Sequence, residues 1–114
     1  MILSIERKQI PPDITVLEMT GRVVLGNNSR EVELKLGEAL REKARKFIFD
    51  LKGVTMLDST GVGILVVCQG KITAEGGELR VAGATGIVEQ VLRMTSVNKL
   101  IHSFPTVKEA ASGF

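Results

Sequence analysis

The chain has 114 residues, a length that fits a single domain, residues 1–114, around one core. Hydrophobic residues make up 44% and aromatics only 4%, with no Trp or Tyr, so the core is aliphatic and the composition speaks against base stacking on aromatics as a mode of action. The net charge of +2 is near balance and forms no Lys/Arg stripe, which speaks against direct nucleic-acid binding.

In chain order, "LSIERKQI" and "DITVLEM" alternate apolar and polar residues around the turn signal "PPD", which predicts a β-hairpin. Gly21 interrupts the alternation, and "VVL" resumes it briefly before a "GNN" loop. Asn28 followed by Glu31 has the form of a capping box. The helix it opens puts Val32, Leu36, Ala39, Leu40 and Ala44 on one face, and "REKARK" continues the helical pattern as a solvated helix face.

"KFIFDL" is dense and β-rich, as expected of a central strand buried on both faces, and "KGVTML" then reads as a connection. "VGILVVCQGKITAE" predicts a helix stopped at Gly76-Gly77. Its first half is apolar almost all round, which predicts a helix start close to the sheet, and Cys68 within it reads as a small buried hydrophobe. "ELRVAG" is the next strand, and "TGIVEQVLRMT" the next helix, with Ile87, Val88, Val91 and Leu92 inward. "KLIHSF" is a last short strand, and "PTVKEAA" a closing helix with Thr106 and Glu109 as a capping box. This order predicts an α/β domain: a mixed, mostly parallel sheet with about four helices.

Cys68 is the only cysteine and His102 the only histidine, so an internal disulfide is impossible, a cysteine-ligated zinc site is excluded in practice, and no metal or cofactor is expected. The N-terminus lacks the pattern of a signal peptide, and no apolar run is long enough to span a bilayer. A cytoplasmic protein without a membrane role is the expectation.

The chemistry concentrates in "MLDSTGVG", Met56 to Gly63, where three capping residues stand at a helix start. Backbone N–H groups lack partners there, and the helix dipole favours negative charge. Helix capping and phosphate acceptance are therefore nearly level readings of Asp58, Ser59 and Thr60. The catalytic readings are weaker. G-x-G lacks a third glycine and a Walker lysine. Asp-Ser-Thr-Gly carries one residue more than the aspartic-protease pattern, and an α/β order conflicts with that fold. No G-x-S-x-G elbow surrounds Ser59 to support a triad with His102. A phosphate on Ser59 would add nearly two negative charges, with helix N–H groups nearby to receive them.

"FIFDLKGVTMLDSTGVGILV" resembles the signature of STAS domains of the bacterial anti-sigma factor antagonist type. "TAEGGELRVAG" and "VLRMTSVNKLIHSFPTVKEA" extend the resemblance over roughly Phe47 to Ala111. It implies a switch with no catalysis of its own. The unphosphorylated protein binds an anti-sigma factor, usually also a serine/threonine kinase, and so releases the sigma factor. The kinase inactivates it by phosphorylating the serine after the motif's aspartate, here Ser59, and a serine phosphatase reverses this. Asp58, Thr60 and Gly61 flank the phosphoacceptor. Many members have an aspartate in the loop before the first helix. "GRVVLGNNSRE" has no acid between Gly21 and Arg30, and Asn27 and Asn28 occupy that loop. Met56 and Met94 join these asparagines as candidate partner contacts, although core filling is the simpler role for each methionine. The alternative is a STAS module of a transporter-associated or stressosome-like complex, without a phosphorylation switch.

Overall fold

A computed structural model describes residues 2–114. Strands β1 (Ser4–Ile10) and β2 (Ile14–Val23) form the expected hairpin, antiparallel with Ile10 opposite Ile14. Helix α1 (Glu31–Arg41), strand β3 (Lys46–Leu57), helix α2 (Ser59–Ala74) and strand β4 (Glu78–Ala82) follow. Helices α3 (Gly86–Met94) and α4 (Val97–Leu100), strand β5 (His102–Phe104) and helix α5 (Val107–Ala111) complete the chain. The sheet order is β1-β2-β3-β4-β5, with every pair after the hairpin parallel. This is the mixed, mostly parallel α/β architecture predicted, with five helices rather than about four.

β3 is the central strand. Phe47, Phe49 and Leu51 face a core shared with α1, α2 and α3, and Ile48 faces a smaller one closed by α5. On the α5 side, the Arg80 guanidinium lies 4.0 Å from the centre of the Phe114 ring and donates to the carbonyls of Ala110 and Ser112. Cys68 is fully buried, and its desolvation pushes the thiol pKa up to about 12, so it packs as a hydrophobe.

Several local expectations are corrected. β3 continues through "KGVTML" to Leu57, and β2 runs through Gly21 to Val23. Irregularities in the β2–β3 register let both strands continue. Gly53 is needed at one of them, because a Cβ there would lie 2.8 Å from Thr20 Oγ1 and 2.9 Å from the Met19 carbonyl oxygen. Asn28 does not cap α1. Its backbone is left-handed (φ 63°), and Arg30 occupies the cap position without a side-chain bond. Ala44 lies beyond the end of α1 and is half-buried. Ile87 is exposed, because Val88 and Leu92, with the half-buried Val91 beside them, form the inward stripe of α3. "KLIHSF" divides into the last residues of α4 and the three-residue strand β5. At α5, Thr106 Oγ1 accepts from the Glu109 N–H at 3.1 Å, one half of the predicted capping box.

Candidate functional site

The site lies at the C-terminal end of β3, where the chain turns into α2. Of the three residues able to cap, Asp58 does so. Its backbone is extended (φ −103°, ψ −173°), and its Oδ1 accepts from the Gly61 N–H at 2.9 Å. Its Oδ2 accepts from the Leu25 N–H at 3.0 Å, so one carboxylate ties the β2–α1 loop to the start of α2. Burial by itself would push the Asp58 pKa up. The N–H groups of Leu25, Gly61 and Thr60 outweigh it and hold the carboxyl below its ordinary range.

This arrangement releases Ser59 from capping. Ser59 is the first residue of α2, is exposed, and its hydroxyl makes no hydrogen bond within the described residues. Thr60 beside it is half-buried and its hydroxyl is likewise unbonded within them. Gly61 is buried. A Cβ there would collide with the Val23 carbonyl oxygen and stand 2.6 Å from Leu57 Cδ1. The glycine therefore lets α2 begin against the end of β2. The Gly61 N–H, expected to help receive a phosphate, is already committed to Asp58. A phosphate on Ser59 would face outward beside an ionised carboxylate.

The β2–α1 loop is organised by its polar residues. Asn27 Nδ2 donates to the Arg22 carbonyl at 2.8 Å, and the Ser29 hydroxyl to the Val24 carbonyl at 2.6 Å. The Asn28 carbonyl accepts from the Glu31 N–H at 3.1 Å. Asn27 and Asn28 thus shape a loop that Asp58 holds next to Ser59. Leu25 opens the turn of this loop and is 78% exposed, a feature that its place after two valines conceals in the sequence. Its one visible signal was an apolar residue directly before the "GNN" turn. Met56 lies at the end of β3, opposite Arg22 in register, and is 41% exposed. Along α2, Ile64, Leu65 and Cys68 are buried, while Val66 and Val67 face outward. The apolar circumference expected to press α2 on the sheet therefore leaves an apolar outer face as well.

Met94 is the last residue of α3 and is 78% exposed. Leu92 and Arg93 just before it border a cavity with Ala84, Thr85, Phe104 and Pro105, past the C-terminal ends of β4 and β5. His102 is exposed on β5 with Arg80 as its register partner, and no hydrogen bond joins it to Ser59. Among the described residues no group of His, Cys, Asp and Glu is arranged to hold a metal ion, and no helix is long and apolar enough to cross a membrane.

Replacing Asp58 with Ala removes the cap and the tie to Leu25 together. The expected loss is about 1 kcal/mol of stability, measured by urea denaturation near neutral pH. The pH dependence has a definite sign. The folded pKa of Asp58 lies below its unfolded value, so its contribution is full above the unfolded pKa. It fades as pH falls through the folded pKa, below the ordinary range of an aspartate. The wild type and the Asp58→Ala variant should therefore converge in stability in acid.

The fold agrees with several solved structures. An anti-sigma factor antagonist from Mycobacterium paratuberculosis superposes with a TM-score of 0.84 at 19% identity, over 95% of this chain and 90% of that one. The Bacillus cell fate determinant SpoIIAA in its phosphorylated form gives 0.71 at 16% identity, over 94% and 96% of the two chains. A sulfate transporter family protein from Wolinella succinogenes gives 0.74 at 21% identity, over 90% and 85%. Identities this low establish the shared fold alone. The family model of the STAS domain, however, matches residues 6–110, nearly the whole length. A serine left free by an aspartate cap, on a five-stranded mixed sheet, thus stands within that match, and the chain belongs to the STAS domain family.

Proposed function

We propose that this protein is an anti-sigma factor antagonist switched by phosphorylation of Ser59. Unphosphorylated, it binds an anti-sigma factor that is a serine/threonine kinase, and the sigma factor is released. The kinase transfers the γ-phosphoryl group of ATP to Ser59 Oγ, ADP leaves, and the complex falls apart. A serine phosphatase restores the free hydroxyl. The protein contributes no catalysis, and the cycle runs in the cytoplasm.

The observation that carries this reading is the exposed, unbonded Ser59 hydroxyl at the first position of α2, next to a carboxylate whose hydrogen bonds are already made. Leu25 and Met56, exposed nearby in the loop and at the end of β3, offer an apolar surface for a partner. Such a surface tolerates a neutral hydroxyl. It does not tolerate nearly two further negative charges beside Asp58, because desolvating like charges at an interface costs several kcal/mol. Asn27 and Asn28 act as positioning residues for the loop, and Thr60 and Gly61 complete the helix start.

Incubation with the cognate kinase and ATP, followed by peptide mass spectrometry, tests the assignment. One phosphate on Ser59 is the expected result. Phosphate on Thr60 or elsewhere, with Ser59 unmodified, would remove the assignment. The absence of phosphate from every residue would favour a STAS module that binds its partner without a switch, in a transporter-associated or stressosome-like complex.

A further inference from the structure

The far end of α2 carries a feature that the Ser59 site does not use. A groove of about 550 Å³ lies between the C-terminal parts of α1 and α2. Arg41, Lys43, Arg45 and Lys71 line it against a single acid, Glu75. Arg45 is held in place. Its Nη1 donates to the carbonyls of Leu40 (3.2 Å) and Ala44 (2.7 Å), and its Nη2 pairs with Glu75 at 3.3 Å. Lys71 reaches Glu33 only at 3.9 Å. Arg41 and Lys43 have no acidic partner within 4.0 Å among the described residues. The groove therefore carries a clear excess of positive charge.

Its floor is apolar and partly bare. Leu40 and Ala74 contribute to it, together with Gly37. A glycine is unfavourable in the interior of a helix. Packing within this chain does not demand it, because a Cβ at Gly37 would meet only Arg41 Nη1, at an ordinary 3.5 Å. The missing side chain does, however, let the backbone of an occupant approach α1.

We propose that this groove docks an acidic segment of a partner protein, with carboxylates on Arg41, Lys43 and Lys71 and small apolar side chains over Leu40 and Ala74. Charge complementarity selects an anionic occupant, and the apolar floor favours a peptide over a nucleic acid, for which the chain offers no Trp or Tyr to stack on. Fifteen helical steps, about 22 Å, separate Ser59 from Ala74 along α2. A segment docked here lies beyond the screening length of charge at Ser59, and the proposal holds whatever becomes of that serine.

The test is an amide NMR titration of the full chain with the peptide acetyl-EELEELEE-amide. Saturable shifts are expected at Gly37, Leu40, Lys43, Arg45 and Ala74. Arg41→Glu combined with Lys43→Glu should weaken binding by about tenfold or more, while Arg22→Glu combined with Arg30→Glu leaves it unchanged. Gly37→Leu should also weaken it by filling the floor, in a protein that still melts cooperatively. If Gly37→Leu does not fold, the charge variants decide alone. Shifts scattered over all exposed cations, binding indifferent to the Arg41 and Lys43 changes, or tighter binding of a DNA duplex than of the peptide would each overturn the proposal.

Discussion

Gly61→Ala should destabilise the domain by about 2–3 kcal/mol, lowering the melting temperature by roughly 10 °C. In an exposed helix the same change would gain up to about 1 kcal/mol, since alanine is the better helix former. Here the new methyl group runs into the Val23 carbonyl oxygen and Leu57 Cδ1. The carbonyl belongs to the last residue of β2, inside the sheet, and cannot swing aside as a flexible side chain would. The start of α2 must lift instead, stretching the bonds from Asp58 to Gly61 and Leu25. Gly63, two residues on, is the control. A Cβ there meets nothing within 4 Å, so Gly63→Ala should be neutral or stabilising by up to about 1 kcal/mol. Thermal melts of the two variants measure the contrast. Equal melting temperatures would show that α2 does not depend on this close approach.

If the proposed partner is the right one, Ser59→Asp should weaken binding to an anti-sigma factor by about a hundredfold or more, roughly 2.7 kcal/mol, whereas Ser59→Ala should stay within a few-fold of wild type. The asymmetry follows from the local bonding. The serine hydroxyl supports nothing in the fold, so its removal costs almost nothing, and both variants should melt within about 0.5 kcal/mol of the wild type. A carboxylate at 59 adds charge next to Asp58, whose own oxygens already take the Gly61 and Leu25 N–H groups. Isothermal titration calorimetry at two salt concentrations separates charge from shape, because the loss caused by Asp should shrink as salt rises. Equal affinity for wild type, Ser59→Ala and Ser59→Asp would contradict an electrostatic switch.

The architecture was legible because each main element had its own pattern: alternation around Pro11-Pro12, one apolar stripe on α1, and a dense β run at Phe47 to Leu51. The misreadings lie where tertiary contacts override local signals. The last part of β3 resembles a connection because Gly53 interrupts the pattern, yet it pairs with β2 since a glycine permits close approach there. α4 is only four residues long and leaves no room for a helical period. Asn28 is a capping residue type, but it is spent on a left-handed turn, a conformation asparagine also favours.

At the site, the presence of a cap was legible and its identity was not. Asp58, Ser59 and Thr60 are all competent, and the decision came from a partner 33 residues away, the Leu25 N–H, which only a carboxylate with a second oxygen reaches while holding Gly61. Leu25 itself escaped notice because an apolar residue after two valines reads as the end of a strand. Met94 stands out by residue type, and it ends α3 as an exposed residue.

The most direct measurement of the central claim is the affinity of one preparation for the proposed anti-sigma factor partner in three successive states: untreated, stoichiometrically phosphorylated on Ser59, and dephosphorylated again. The account predicts tight binding, a loss of about a hundredfold or more, and full recovery. Affinity unchanged by the phosphate would contradict it.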